Sequence, residues 1–186
     1  MCPCKTQQMD LDDLGKRICI LGPSNSGKST LAAAIGRARS LPVTHLDQYR
    51  HLPGTQWVER PDSEFERLHD EAANGDAWVI DGNYSRWLPG RLRRATGLIV
   101  LDASTAASLV RYFRRTLMEP DRAGGLDGTR DRLRFEMIRF ILGRARRNRS
   151  RYQDTFEDFE RPKVFLPSRA ALEEYYRRHG LTRRTR

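Results

Sequence analysis

The residues best equipped for chemistry stand together near the start of the chain: Gly22, Pro23, Ser24, Asn25, Ser26, Gly27, Lys28 and Ser29, followed by Thr30. They spell G-x-x-x-x-G-K-[ST] directly after the apolar run Ile18, Cys19, Ile20 and Leu21. Glycines let successive backbone N–H groups converge on phosphate oxygens, and the helix expected next points its positive dipole end at the same charge. Lys28 has the reach for β- and γ-phosphates, and the Ser29 hydroxyl suits Mg2+. The spacing therefore predicts a nucleotide site over residues 22–30, with Mg2+ at Ser29.

Phosphoryl transfer needs a phosphate cradle, a metal, a group to orient the acceptor and positive charge for the transferred phosphoryl. Three aspartates end expected strands: Asp47 in THLDQY, Asp81 in WVIDGNY and Asp102 in IVLDAS. In a parallel sheet such ends lie beside the ligand crevice, where metal-water ligands and acceptor-activating carboxylates belong. Asp81 is taken with Ser29 as the metal pair and Asp47 as the group that orients the acceptor. Asp102 ranks below them, because it precedes an expected helix near Ser104 and can serve as its cap.

Arg86 follows Asp81 by five residues, while Arg111 and Arg115 lie four apart, on one face of an expected helix. These three are the candidate phosphate clamps, Arg115 and Arg86 being grouped with Lys28, Asp47 and Asp81 as catalytic. Arg139, Arg144, Arg146, Arg147 and Arg149 read as a solvated face. Trp57 and Trp87 fall in the two acceptor-side segments, where an aromatic plane either stacks on a ligand ring or fills the core.

Short apolar runs suited to burial on both faces predict strands near Arg17–Leu21, Val43–Leu46, Ala77–Ile80, Leu98–Leu101 and Lys163–Leu166. Helix-like stretches alternate with them, which predicts an α/β fold with a parallel sheet covered on both faces. Ser63 with Glu66 reads as a capping box, Pro89 as a first helical turn, and Ser168 as the cap of a helix that stops at Gly180. Residues 47–61 read as a loop. Residues 119–130 carry three glycines between two arginine-rich helices and read as a lid that would exclude water.

At 186 residues the chain is expected to form one domain, with residues 1–16 as a flexible lead-in. Its three cysteines have no zinc or disulfide spacing, and Cys19 reads as a small core residue. No apolar run reaches the ~20 residues of a membrane span, and the opening residues lack the apolar stretch of a signal peptide, so a cytoplasmic protein is expected. The net charge is +10, and its distribution matters more than its size. Residues 1–90 carry 10 basic against 12 acidic side chains, residues 91–151 carry 16 against 6, and residues 152–186 carry 8 against 6. The middle cluster is all arginine, whose rigid fork suits bidentate phosphate contact.

GPSNSGKST, LDQY, WVIDGNY followed by Arg86, VLDAS, LVRYFRRTL and VFLPSRAALEEYY together resemble the adenylate kinase and shikimate kinase group of P-loop kinases. Within that group the likeness is to the bacterial adenylate-kinase-like proteins labelled DNA topology modulation proteins, over roughly residues 17–181. The resemblance implies a three-layer α/β/α P-loop NTPase fold with a five-stranded parallel sheet in the order 2-3-1-4-5. It also implies transfer of the γ-phosphate of Mg2+-ATP to a small acceptor. In adenylate kinases an arginine four residues after the matching aspartate holds the AMP phosphate; here Arg86 stands five after Asp81, which weighs against AMP. Arg111 and Arg115 match the spacing of a pair that contacts ATP in that family, and Val164–Ser168 matches the turn bordering the adenine.

Two function classes follow. One is a small-molecule kinase whose acceptor is a nucleotide or nucleoside. The other is an ATP-binding, nucleic-acid-associated regulator without kinase activity, in which residues 91–151 lie along a phosphate backbone. No N-K-x-D guanine signature is present, which sets a switch GTPase aside.

Overall fold

The computed structural model describes residues 9–55, 57–102 and 150–183. Five strands, β1 (Arg17–Leu21), β2 (Val43–His45), β3 (Trp78–Asp81), β4 (Gly97–Leu101) and β5 (Lys163–Leu166), form one sheet in the order β2-β3-β1-β4-β5. All four ladders are parallel. This is the expected α/β architecture and strand order. The helices are α1 (Lys28–Arg39), α2 (Leu46–Arg50), α3 (Asp62–Asn74), α4 (Leu88–Arg94) and α5 (Arg169–Arg178), and residues 150–158 are also helical. Among the described residues no helix is long and apolar enough to cross a membrane.

Alternation along each strand divides the core into two layers. Ile18 and Ile20 of β1 pack with Leu31 and Ile35 of α1 and with Leu172 and Tyr176 of α5. Their neighbours Cys19 and Leu21 point the other way, among Phe65 of α3, Trp78 and Ile80 of β3, and Tyr152 and Phe159. Because both faces are covered, β1 and β4 can be apolar throughout, which is why they read as continuous runs rather than alternating ones. Cys19 is fully buried, as expected, and burial pushes its thiol pKa up.

Three local expectations are corrected. The 9–16 part of the lead-in is anchored: Leu14 is fully buried, and Arg39 donates to the carbonyls of Leu11 (2.9 Å) and Gly15 (2.7 Å). Thr96 adds a staple by donating to Leu14 O at 2.8 Å. Ser63 forms no cap, because α3 already begins at Asp62 with Pro61 as the N-cap residue. Pro61 enters from an extended backbone and its carbonyl receives the Phe65 amide at 3.0 Å, so the helix begins two residues earlier. The 47–61 segment is helical at its start, since Leu46 buries and begins α2, leaving an irregular stretch closed by an antiparallel bridge between His51 and Glu59. The Pro89 and Ser168 readings match: proline sits in the first turn of α4, and the Ser168 hydroxyl accepts from Ala171 N at 3.1 Å.

Part of the arginine excess has a structural use. Arg94 donates to the carbonyls of Ala73 (2.7 Å) and Asn74 (2.9 Å) at the end of α3, which has no basic residue in its own last turn. Arg161 does the same for α4, through Arg93 O (2.9 Å) and Ala95 O (2.7 Å). Cations at helix C-termini satisfy orphan carbonyls and the dipole together.

Two stability predictions follow from these contacts. A Cβ on Gly97 would stand 2.6 Å from Leu14 O and 2.6 Å from Leu14 Cβ, so the lead-in and β4 can touch only through glycine. Gly97→Ala is expected to cost about 1–3 kcal/mol in urea unfolding. His69 is 1% exposed, and burial pushes its imidazole below the ordinary 6.5, so the folded state prefers it neutral while the unfolded chain takes up the proton. Its contribution is present in full above about 6.5 and is lost as the pH falls from there through the lower folded-state value. Thermal unfolding should show Tm falling between pH 7 and 5, with a shallower fall in His69→Leu. Part of the slope should persist through His179, whose imidazole is shifted down by burial as well.

Candidate functional site

The phosphate-type loop springs from the end of β1, the middle strand of the sheet. Gly22 has φ 145° and a Cβ there would lie 2.5 Å from Leu101 O of β4, so both its conformation and its neighbour demand glycine. Asn25 (φ 61°) and Gly27 (φ 100°) are left-handed, which turns the loop back over the start of α1. Gly27 is the N-cap residue of α1 and supplies no side-chain cap, and the first turn holds no acidic residue. The N-terminal amides of a twelve-residue helix thus face the loop without a carboxylate or hydroxyl cap of their own, the arrangement that receives an anion. Lys28 Nζ donates to Pro23 O at 2.8 Å, which lays the cation across the loop.

Asp81 ends β3 beside this loop and is 3% exposed. Its Oδ2 accepts from Ser29 Oγ at 2.6 Å, and its Oδ1 lies 2.5 Å from His45 Nδ1. A carboxylate accepts, so that contact assigns the ring proton to Nδ1. His45 and Asp81 are register partners on β2 and β3, which places their side chains on one face of the sheet. The two oxygens of Ser29 and Asp81 are hard donors of the kind Mg2+ takes. Among the described residues no group of three or more His, Cys, Asp or Glu gathers as a closed metal cage. One hydroxyl and one carboxylate fit a Mg2+ that fills its remaining positions with water and phosphate oxygens.

Asp47 does not end a strand. β2 stops at His45, and Asp47 lies exposed in the first turn of α2. Its Oδ1 accepts from the Tyr84 hydroxyl at 2.6 Å. Burial raises the Tyr84 pKa strongly and the Asp47 charge adds to it, so the phenol stays a donor. Tyr84 has φ 33° and packs at 5.0 Å on Phe65, which also meets Trp87 edge-on at 4.7 Å. Trp87 therefore belongs to an aromatic cluster under the acceptor-side segment, while Trp57, at φ 63°, meets the His51 ring at 5.0 Å.

Arg86 is 65% exposed and donates to Asp62 Oδ2 at 2.6 Å. The other oxygen of Asp62 accepts from Arg50 at 2.7 Å, and Arg50 also reaches Glu59 at 2.6 Å. The hydrogen bond from Arg50 holds the Asp62 carboxyl below the usual range. Arg86 is thus paired with a carboxylate through Nη1. Asp102 lies just past β4, 4% exposed, with its amide bonded to Leu166 O at 2.9 Å. Arg111, Arg115 and the 119–130 lid lie outside the described residues, as does the helix expected near Ser104.

The structure brings Ser29 and Asp81 into contact, the pair the sequence reading took for the metal, while Lys28 lies on Pro23, Asp47 on Tyr84 and Arg86 on Asp62. Sequence reasoning missed His45, Tyr84 and Asp62. His45 stands two residues before Asp47 in the same motif, but its partner is known only once β2 and β3 are in register.

No protein-family model and no curated protein matches the sequence. Solved structures do share the fold. A shikimate kinase from Bacteroides thetaiotaomicron aligns with TM-score 0.54 and 20% identity, over 88% of this chain and 95% of that one. A gluconokinase from Sinorhizobium meliloti 1021 aligns with TM-score 0.53 and 16% identity, over 90% and 95%. The shikimate kinase of Acinetobacter baumannii, solved with shikimate, aligns with TM-score 0.56 and 15% identity, over 87% and 89%. The chain shares the three-layer α/β/α fold of these P-loop kinases.

Proposed function

We propose that the chain is a Mg2+-ATP-dependent phosphotransferase that moves the γ-phosphoryl group to a hydroxyl of a small acceptor. The observation that carries this reading is the 2.6 Å contact between Ser29 Oγ and Asp81 Oδ2 at the foot of α1, beside a glycine-turned loop and Lys28. The chemistry a bound Mg2+ would supply there is neutralisation of the charge on the phosphoryl group during transfer. Ser29 and Asp81 are its proposed protein holders, and His45 keeps the Asp81 carboxylate turned toward Ser29. Lys28 exchanges Pro23 O for the transferring phosphate and stabilises its developing charge. Asp47, steadied by Tyr84, accepts the proton of the acceptor hydroxyl as the new O–P bond forms. The bond between Pγ and the bridging oxygen breaks, and ADP leaves. Arg86, Arg111 and Arg115 are the proposed phosphate clamps.

A nucleoside or nucleotide is the first acceptor class to test, since GPSNSGKST, LDQY, WVIDGNY followed by Arg86, VLDAS, LVRYFRRTL and VFLPSRAALEEYY together resemble the adenylate-kinase-like proteins. Shikimate and gluconate belong in the same panel, because the fold neighbours are kinases named for them. In the described part of the arginine cluster Arg91 and Arg94 are spent on carbonyls, which takes them from the nucleic-acid reading, while Arg93 and Arg151 are exposed.

The test is ADP release from Mg2+-ATP across that panel. One acceptor should raise release well above the acceptor-free rate. Lys28→Ala should then lower kcat by at least about 10²-fold, and Asp47→Asn should lower kcat by about 10²-fold or more. Wild-type turnover in Lys28→Ala, or no acceptor dependence at all, overturns the assignment.

A further inference from the structure

Gly22, the first residue of the loop, is held by a side chain from 61 positions downstream. Asn83 Nδ2 donates to Gly22 O at 2.9 Å, while Gly22 N donates to Asn83 Oδ1 at 3.2 Å. Two bonds of opposite polarity fix both peptide planes flanking Gly22, at the place where the chain leaves the sheet. Only a primary amide carries a donor and an acceptor in one plane at that reach: aspartate has no donor, and glutamine is one methylene longer.

Asn83 is itself held from behind. Arg91 is fully buried in α4, and its Nη2 donates to Gly82 O at 2.6 Å and to Asn83 O at 3.3 Å. Its Nε donates to Cys19 Sγ at 3.3 Å, and among the described residues no carboxylate pairs with it. A buried cation without a counter-charge is costly, and here it is retained on the two carbonyls that set the turn after β3. The buried Tyr152 phenol lies beside the Asn83 side chain, and burial pushes it up to about 12, so it remains protonated. The next residue, Tyr84, holds Asp47. Neighbouring side chains of one turn therefore reach the nucleotide loop and the acceptor carboxylate.

We propose that Asn83 is a positioning residue that holds Gly22, and with it the phosphate loop, in the nucleotide-binding form. The inference rests on the nucleotide reading above and adds a determinant of nucleotide affinity that lies in the turn after β3. Loss of the bracket leaves Lys28, Ser29 and Asp81 in place but frees the loop entry, so affinity for Mg2+-ATP suffers before any acceptor is involved.

The experiment is calorimetric titration of the full chain with Mg2+-ATP, without acceptor, beside urea unfolding of each variant. Asn83→Ala should bind about tenfold more weakly, the scale of one or two uncharged hydrogen bonds. Asn83→Asp should bind more weakly still, because a carboxylate oxygen then faces Gly22 O. Tyr152→Phe, which removes only a methyl-sized polar group, should weaken binding about two- to threefold and serves if the Asn83 variants do not fold. A folded Asn83→Asp, or Tyr152→Phe in its stead, that binds as wild type does overturns the inference while the nucleotide reading stands. A wild-type chain that does not bind Mg2+-ATP overturns both.

Discussion

The carboxylate of Asp81 is the point on which the candidate site turns. It is buried at the end of a central strand, where an ionised group is tolerated only with partners, and its two oxygens take one from each side: Ser29 of α1 and His45 of β2. Three chain segments are thereby tied to one atom group. Parallel pairing makes this possible, because β1, β2 and β3 all end at the same edge of the sheet and in register, with Ile20 and His45 both opposite Asp81. A shift of β2 by one residue would send His45 to the other face.

Around that point the chain uses arginine in three physical settings. Arg94 and Arg161 close helix ends. Arg91 is buried on main-chain carbonyls, at a cost that only a tightly packed turn offsets. Arg50 and Arg86 share one exposed carboxylate, Asp62, and pairs of that kind are worth little in water. A count of charges in the sequence cannot separate these settings, since each depends on what the fold brings alongside the guanidinium.

Legibility followed the range of the interactions. β1, β3 and β4 were plain from their apolar runs, because burial on both faces leaves a local signature. The loop from Gly22 to Ser29 was plain because its function needs fixed neighbours, and Asp81 because the strand before it was plain. The strand order came from the family resemblance rather than from the pattern. Asp47 was misplaced because Leu46, apolar enough to extend β2, instead buries as the first residue of α2. Ser63 matched a cap by spacing, yet Pro61 closed the turn first. His45, Tyr84 and Asn83 were illegible as site residues because their partners lie 36, 37 and 61 residues away.

β2 has three residues and, among the described residues, is hydrogen-bonded on one side only, to β3, at the margin of the sheet. The segment it feeds, with α2, the His51–Glu59 bridge and Asp47, is attached to the sheet through that short margin. The loop, Lys28 and Ser29 instead follow β1, which is flanked by strands on both sides. The fold thus separates an interior half, which is hard to alter without unfolding the sheet, from a peripheral half whose sequence can drift. On the phosphotransferase reading proposed above, a lineage can trade one acceptor for another through such a margin while the nucleotide half stays as it was.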